Sequence, residues 1–246
     1  MLTLFQATAF LLIMVSQGLT GQQKPNPATA LLEKGQKLFR EGDYSGALEA
    51  FEAAAKVDPK DARAYYLRGV VLEKRHDMSG AERAYRDAVS HDNRFAPAHN
   101  NLGAILLGKG DVSAAEKAFQ AAIAADPKYA DAHFNLGVMR DGQGRAADAV
   151  KSYRECVRLK PGDAGFHMNL GVALRKTGDL DGALIELRTA SRLAPKDAMV
   201  LANLGLLLSD KKSYDDAAEV LARAAQLDPK LAMAWAGLGS VELRRK

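Results

Sequence analysis

A glycine returns every 34 residues along most of the chain, at Gly35, Gly69, Gly103, Gly137, Gly171, Gly205 and Gly239. No other feature restricts the fold as tightly. Twelve residues after each of the first six stands an alanine: Ala47, Ala81, Ala115, Ala149, Ala183 and Ala217. Four further on comes a large apolar or aromatic residue (Phe51, Tyr85, Phe119, Tyr153, Leu187, Leu221), and three beyond that a small one (Ala54, Ala88, Ala122, Cys156, Ala190, Ala224). Proline closes the units at Pro59, Pro127, Pro161, Pro195 and Pro229, with Asn93 in its place once. A fixed period of this length marks a repeat architecture, one supersecondary unit stacked on the next.

The spacing inside a unit says what is stacked. His99, Leu102, Gly103 and Leu106 recur at helical intervals, a Gly-Asp or Gly-Arg turn follows (Gly110-Asp111, Gly144-Arg145, Gly178-Asp179), and a second amphipathic stretch begins. The small residues are expected where two helices cross closely, with Phe, Tyr or Leu filling the groove between units. Proline cannot continue a helix, so it stops the second one and resets the chain direction. Two helices of about 13 residues cannot bury their apolar faces alone, and stacking supplies the core.

This pattern of Leu-Gly, Ala, Phe/Tyr, Ala and Pro at a period of 34 resembles the tetratricopeptide repeat (TPR). The resemblance implies an all-α fold, a right-handed superhelical solenoid of helix-turn-helix units. Six units are expected, at 28–61, 62–95, 96–129, 130–163, 164–197 and 198–231, with 232–246 as a C-terminal capping helix. It also implies that the first helices line a concave groove that binds proteins or peptides. Lys34 and Arg68 stand where leucine precedes the glycine elsewhere, and Arg140 occupies an otherwise apolar position, so the early units are expected to be looser or differently partnered.

Composition agrees with an interaction scaffold. Lys and Arg are interleaved with Asp and Glu for a net charge of +4, without the concentrated basic face of a nucleic-acid binder. The single cysteine, Cys156, excludes an internal disulfide and a Cys-rich zinc site, and it replaces an alanine of the small-residue series. His99, His133 and His167 repeat at the same period, but Tyr65, Leu201 and Trp235 fill that position in other units. A shared zinc needs nitrogens within about 2.1 Å of one ion, which packed helices about 8–10 Å apart do not offer. No phosphate loop, nucleophile elbow or paired-carboxylate motif is present, so the expectation is a non-enzyme without cofactor or metal.

The first residues are of another kind. Residues 1–21 carry no charged side chain, and Leu4 to Val15 form an apolar run followed by Ser16, Gly18 and Gly21. This is expected to be a secretory signal peptide, giving a periplasmic or secreted chain. The alternative is a retained membrane anchor, for which the run is marginal in length. Residues 22–27 read as a linker.

One recurrence is not asked for by packing. Asn101, Asn135, Asn169 and Asn203 precede the glycine by two, about 180° around the first helix from the core stripe, although asparagine is a mediocre helix former. They are expected on the groove, either as an inherited polar residue or as a ladder gripping a peptide backbone. The series is similar to the asparagines of the TPR superhelix of O-GlcNAc transferase, whose catalytic domain has no counterpart here. Val138, Val172, Met199 and Leu206 are the expected apolar groove neighbours, and Arg63 the expected basic one. Asparagine stands at other positions where a carboxylate clamp for chaperone tails needs Lys or Arg, which disfavours that ligand. The expected function is a scaffold binding an extended protein segment. Alternatives are a membrane-tethered docking factor and a substrate-presenting accessory subunit.

Overall fold

The computed structural model describes residues 26–245, and the expected signal peptide or anchor lies outside them. Among the described residues there are thirteen helices and no strand. They are α1 (Pro27–Arg40), α2 (Tyr44–Val57), α3 (Ala62–Lys74), α4 (Met78–His91), α5 (Ala96–Gly108), α6 (Val112–Ala125) and α7 (Ala130–Gly142). Then follow α8 (Ala146–Leu159), α9 (Ala164–Lys176), α10 (Leu180–Leu193), α11 (Ala198–Asp210), α12 (Tyr214–Leu227) and α13 (Ala232–Arg244). None of these helices is long and apolar enough to cross a membrane.

The turns inside the helix pairs work by two devices at adjacent residues. Gly42, Gly110, Gly144 and Gly178 take φ between 76° and 86°, the left-handed conformation that ends a helix. His76 and Lys212 occupy the same place at φ 61° and 64°, where a side chain is strained. The aspartate that follows caps the next helix: backbone N–H groups of Gly46, Gly80, Ala114 and Gly182 donate to Asp43, Asp77, Asp111 and Asp179 at 2.8–3.0 Å. Arg145, in the Gly-Arg turn, makes no such side-chain cap.

The described residues form two compact units, divided between Asn135 and Leu136. In the first, α1 packs on α2, α3 on α4 and α5 on α6, while α2–α3 and α4–α5 join the pairs. Phe51, Tyr85 and Phe119 are at most 1% exposed and lie directly on the repeating glycines. A Cβ on Gly35 would come within 2.5 Å of Phe51, on Gly69 within 2.5 Å of Tyr85, and on Gly103 within 2.8 Å of Phe119. The glycine is therefore a socket for a specific side chain, each such burial contributing about 1.5–3 kcal/mol.

In the second unit α9 packs on α10, α11 on α12, and α13 on α11 and α12. Tyr153 lies over Gly137, where a Cβ would come within 2.6 Å of its ring, and leucine then takes over as the plug, with Leu187 over Gly171 and Leu221 over Gly205, a Cβ meeting each leucine Cγ at 2.6 Å. Cys156 is fully buried in the small-residue series.

Two of the three odd charges have partners. Arg68 donates to Asp87 at 2.7 Å and lies 5.5 Å from the Tyr65 ring, and Arg140 donates to Ser152 at 3.4 Å. Lys34 is exposed on α1.

Candidate peptide-binding face

The histidine series has a structural use. His99, His133 and His167 each place Nε2 2.9–3.0 Å from a backbone carbonyl six residues earlier, at Asn93, Pro127 and Pro161. Tyr65 and Trp235 donate in the same way to Pro59 and Pro229, both at 3.1 Å. Where the position carries a ring, as in these five cases, the ring reaches back and ties the turn between units. The spacing alone did not reveal this; the signal was that histidine exchanged only with Tyr and Trp among polar-tipped residues.

The four asparagines are more buried than a groove-facing residue was expected to be: Asn101, Asn135 and Asn203 are 7–9% exposed, and Asn169 is half-buried. They divide by what they bond. Asn101 is fully engaged, donating to the Tyr85 hydroxyl at 3.1 Å and accepting from Asn100 at 3.2 Å. Asn135 donates to Asn100 Oδ1 at 2.9 Å. Tyr85 in turn donates to the Glu73 carboxylate, so a continuous polar chain runs Glu73, Tyr85, Asn101, Asn100, Asn135. Burial raises the Glu73 carboxyl above its ordinary value, against the Tyr85 hydrogen bond, and burial likewise pushes the Tyr85 hydroxyl well above its own.

In the second unit, Asn169 and Asn203 donate to the carbonyls of Gly165 at 2.7 Å and Met199 at 2.9 Å, four residues earlier in their own helices. Their Oδ1 atoms take no hydrogen bond from the described residues. No buried side-chain oxygen or nitrogen among those residues lacks a partner, so these oxygens reach solvent. Val172, Met199 and Leu206 are half-buried on the same helices, and Val138 is half-buried on α7.

Arg63 is exposed on α3 and committed to Asp61, with Nε–Oδ1 at 2.9 Å and Nη2–Oδ2 at 2.6 Å. Burial works to raise the Asp61 carboxyl, but the guanidinium prevails and holds it below its usual range. Among the described residues no group of three His, Cys, Asp or Glu side chains is placed to hold a metal.

Known proteins give the same architecture. No curated protein matches the chain. Among solved structures it is similar to PilF of Pseudomonas aeruginosa, at 20% identity over 87% of this chain and 97% of that one, with a TM-score of 0.75. It is also similar to YrrB, a TPR protein with an unusual peptide-binding site, at 24% identity over 77% and 97% of the two chains and a TM-score of 0.68. A third is MamA, at 28% identity over 66% and 95% with a TM-score of 0.59. The tetratricopeptide-repeat profile matches residues 32–99, 100–164, 140–198, 168–232 and 202–246. Stacked helix pairs, glycine sockets and this match together place the chain in the tetratricopeptide-repeat family, whose members generally mediate protein–protein interactions.

Proposed function

We propose that the chain is an interaction scaffold that holds an extended protein segment along its first helices, gripping the segment's backbone through asparagine Oδ1 atoms. The observation that carries this is the division of labour in Asn169 and Asn203. Each donates an amide N–H to its own helix and leaves an oxygen that accepts no hydrogen bond, beside half-buried apolar side chains. Such an oxygen accepts a peptide N–H without reading side chains, while Val172, Met199 and Leu206 favour apolar ligand residues. Asn101 has no such atom to offer, so the ladder excludes it. That YrrB has a peptide-binding site on the same fold supports the reading.

The test is selection of peptides from a random display library on the full chain, followed by affinity measurement. The double variant Asn169→Ala, Asn203→Ala is expected to weaken a selected peptide by about 1–3 kcal/mol for two bonds. Unchanged affinity overturns the reading. We further propose export of the chain, on the strength of the apolar run at 4–15. A mature protein beginning between Leu19 and Lys24 supports export, and one retaining Met1 in the cytosol opposes it.

A further inference from the structure

Two exposed positions of the repeat carry arginine in consecutive units. Arg154 on α8 and Arg188 on α10 are 34 residues apart, and Arg158 and Arg192 repeat the pair one helical turn later. In the other four units these positions hold arginine once, at Arg86, which is paired with Glu82 at 2.5 Å. The four carboxylates of α8 and α10 are already engaged. Asp148 is paired with Arg145 and Lys151 at 3.2 and 3.1 Å, Glu155 with Arg158 at 2.8 Å, Asp181 with Lys211 at 2.5 Å, and Glu186 with the His167 ring at 2.6 Å. Among the described residues no carboxylate is paired with Arg154, Arg188 or Arg192, and Arg192 donates to the neutral Thr189 hydroxyl at 3.0 Å. Beside these charges lies a groove of about 410 Å³, lined by Ile185, Arg188, Thr189, Ser191 and Arg192 of α10 and by Leu204 of α11. Ile185 is 66% exposed and Leu204 is buried, so apolar surface runs from the outside of the groove inward.

We propose that α8 and α10 form a second binding site, for an acidic protein segment, distinct from the asparagine oxygens. Carboxylates of the segment meet the guanidinium groups of Arg188 and Arg192, whose planar forks pair with a carboxylate through two parallel hydrogen bonds. These arginines are one helical turn apart, about 6 Å along the axis. That matches carboxylates one turn apart on a helix, or two residues apart on a strand at about 3.3 Å each. An apolar side chain of the segment enters the groove against Ile185 and Leu204. Arg154, on the second helix of the preceding unit, extends the positive potential beyond the groove. The pairing of charge with a recess selects the partner. Nucleic acid and an anionic bilayer match the charge but present no side chain to fill the groove, whereas a protein segment supplies both. The charges are exposed, so binding weakens as salt rises.

The test titrates the full chain at low ionic strength into a fluorescent synthetic peptide of repeated Glu-Glu-Leu, read by anisotropy. The peptide is expected to bind, and its Gln-Gln-Leu counterpart to bind at least about tenfold more weakly. The double variant Arg188→Glu, Arg192→Glu is expected to cost at least about tenfold in affinity for the acidic peptide, and Ile185→Ser about fivefold. Both variants change exposed side chains and are expected to keep the wild-type circular dichroism spectrum. Two controls are expected to bind as wild type does: Lys230→Glu with Arg244→Glu, exposed cations elsewhere on the same unit, and Asn169→Ala with Asn203→Ala. Absence of binding overturns the proposal, as does an equal loss in the Lys230 and Arg244 control, which would make net charge the cause. Binding that Arg188→Glu, Arg192→Glu leaves intact overturns it too. So does a preference for phosphatidylglycerol vesicles or duplex DNA over the acidic peptide.

Discussion

Gly69→Ala isolates the physics of the socket. In an exposed helix this change stabilises by about 1 kcal/mol, because glycine carries excess backbone entropy. At Gly69 the new Cβ falls 2.5 Å from Tyr85 Cε1 and 2.7 Å from its Cδ1. The ring has no room to yield, since it is fully buried and its hydroxyl is held by Glu73 and Asn101. Overpacking of this kind costs about 1–3 kcal/mol. Displacing the ring also weakens a hydrogen bond to a carboxylate worth about 1.5–3 kcal/mol. The net expectation is a loss of about 1–4 kcal/mol. Gly239→Ala is the matched control: its Cβ meets nothing, so stability is expected to rise by up to about 1 kcal/mol. Urea unfolding followed by far-ultraviolet circular dichroism compares the two. A Gly69→Ala variant as stable as wild type, or two variants that shift together, refutes the reasoning.

Three other outcomes are expected. His76→Gly and Lys212→Gly each relieve a left-handed side chain and are expected to stabilise by about 0.5–1 kcal/mol, read as a raised urea midpoint. Asn101→Ala removes the acceptor of the Asn100 amide N–H and the donor to the Tyr85 hydroxyl oxygen and is expected to cost about 1–3 kcal/mol, whereas Asn169→Ala is expected to be neutral or slightly stabilising, with thermal melts as the check. Glu73 has a folded value raised above 4.5, so its protonation contributes stability at low pH that is lost as pH rises from 4.5 through that raised value. The difference between wild type and Glu73→Gln, followed by unfolding at a series of pH values, is expected to show this loss in wild type alone.

The fold was legible because its determinants are local and periodic. Glycine, alanine, plug and proline sit at fixed offsets, and each offset follows from how two helices cross. The site was less legible because its bonds depend on distant identities. Asn101 and Asn169 look alike in sequence, yet Asn101 is consumed by a hydroxyl that Tyr85 supplies from the helix pair before it, while Asn169 turns to a carbonyl of its own helix. Arg63 was expected as the basic residue of the groove, and an aspartate two residues earlier takes its guanidinium. Nothing in the histidine spacing pointed to the carbonyls at Asn93, Pro127 and Pro161 that their rings reach.

The central claim is that asparagine oxygens hold a ligand by its backbone N–H groups. Neighbouring helices pack about 8–10 Å apart and an extended strand advances about 3.3 Å per residue, so one asparagine meets about every third ligand residue. A peptide selected on the chain can be resynthesised with each backbone amide replaced in turn by an ester, which removes the N–H and keeps the side chains. Affinity is expected to fall about 2- to 12-fold, equivalent to about 0.5–1.5 kcal/mol, at positions three apart, and these losses are expected to vanish on the Asn169→Ala and Asn203→Ala variants. Losses without that period, or losses unchanged in the variants, contradict the account.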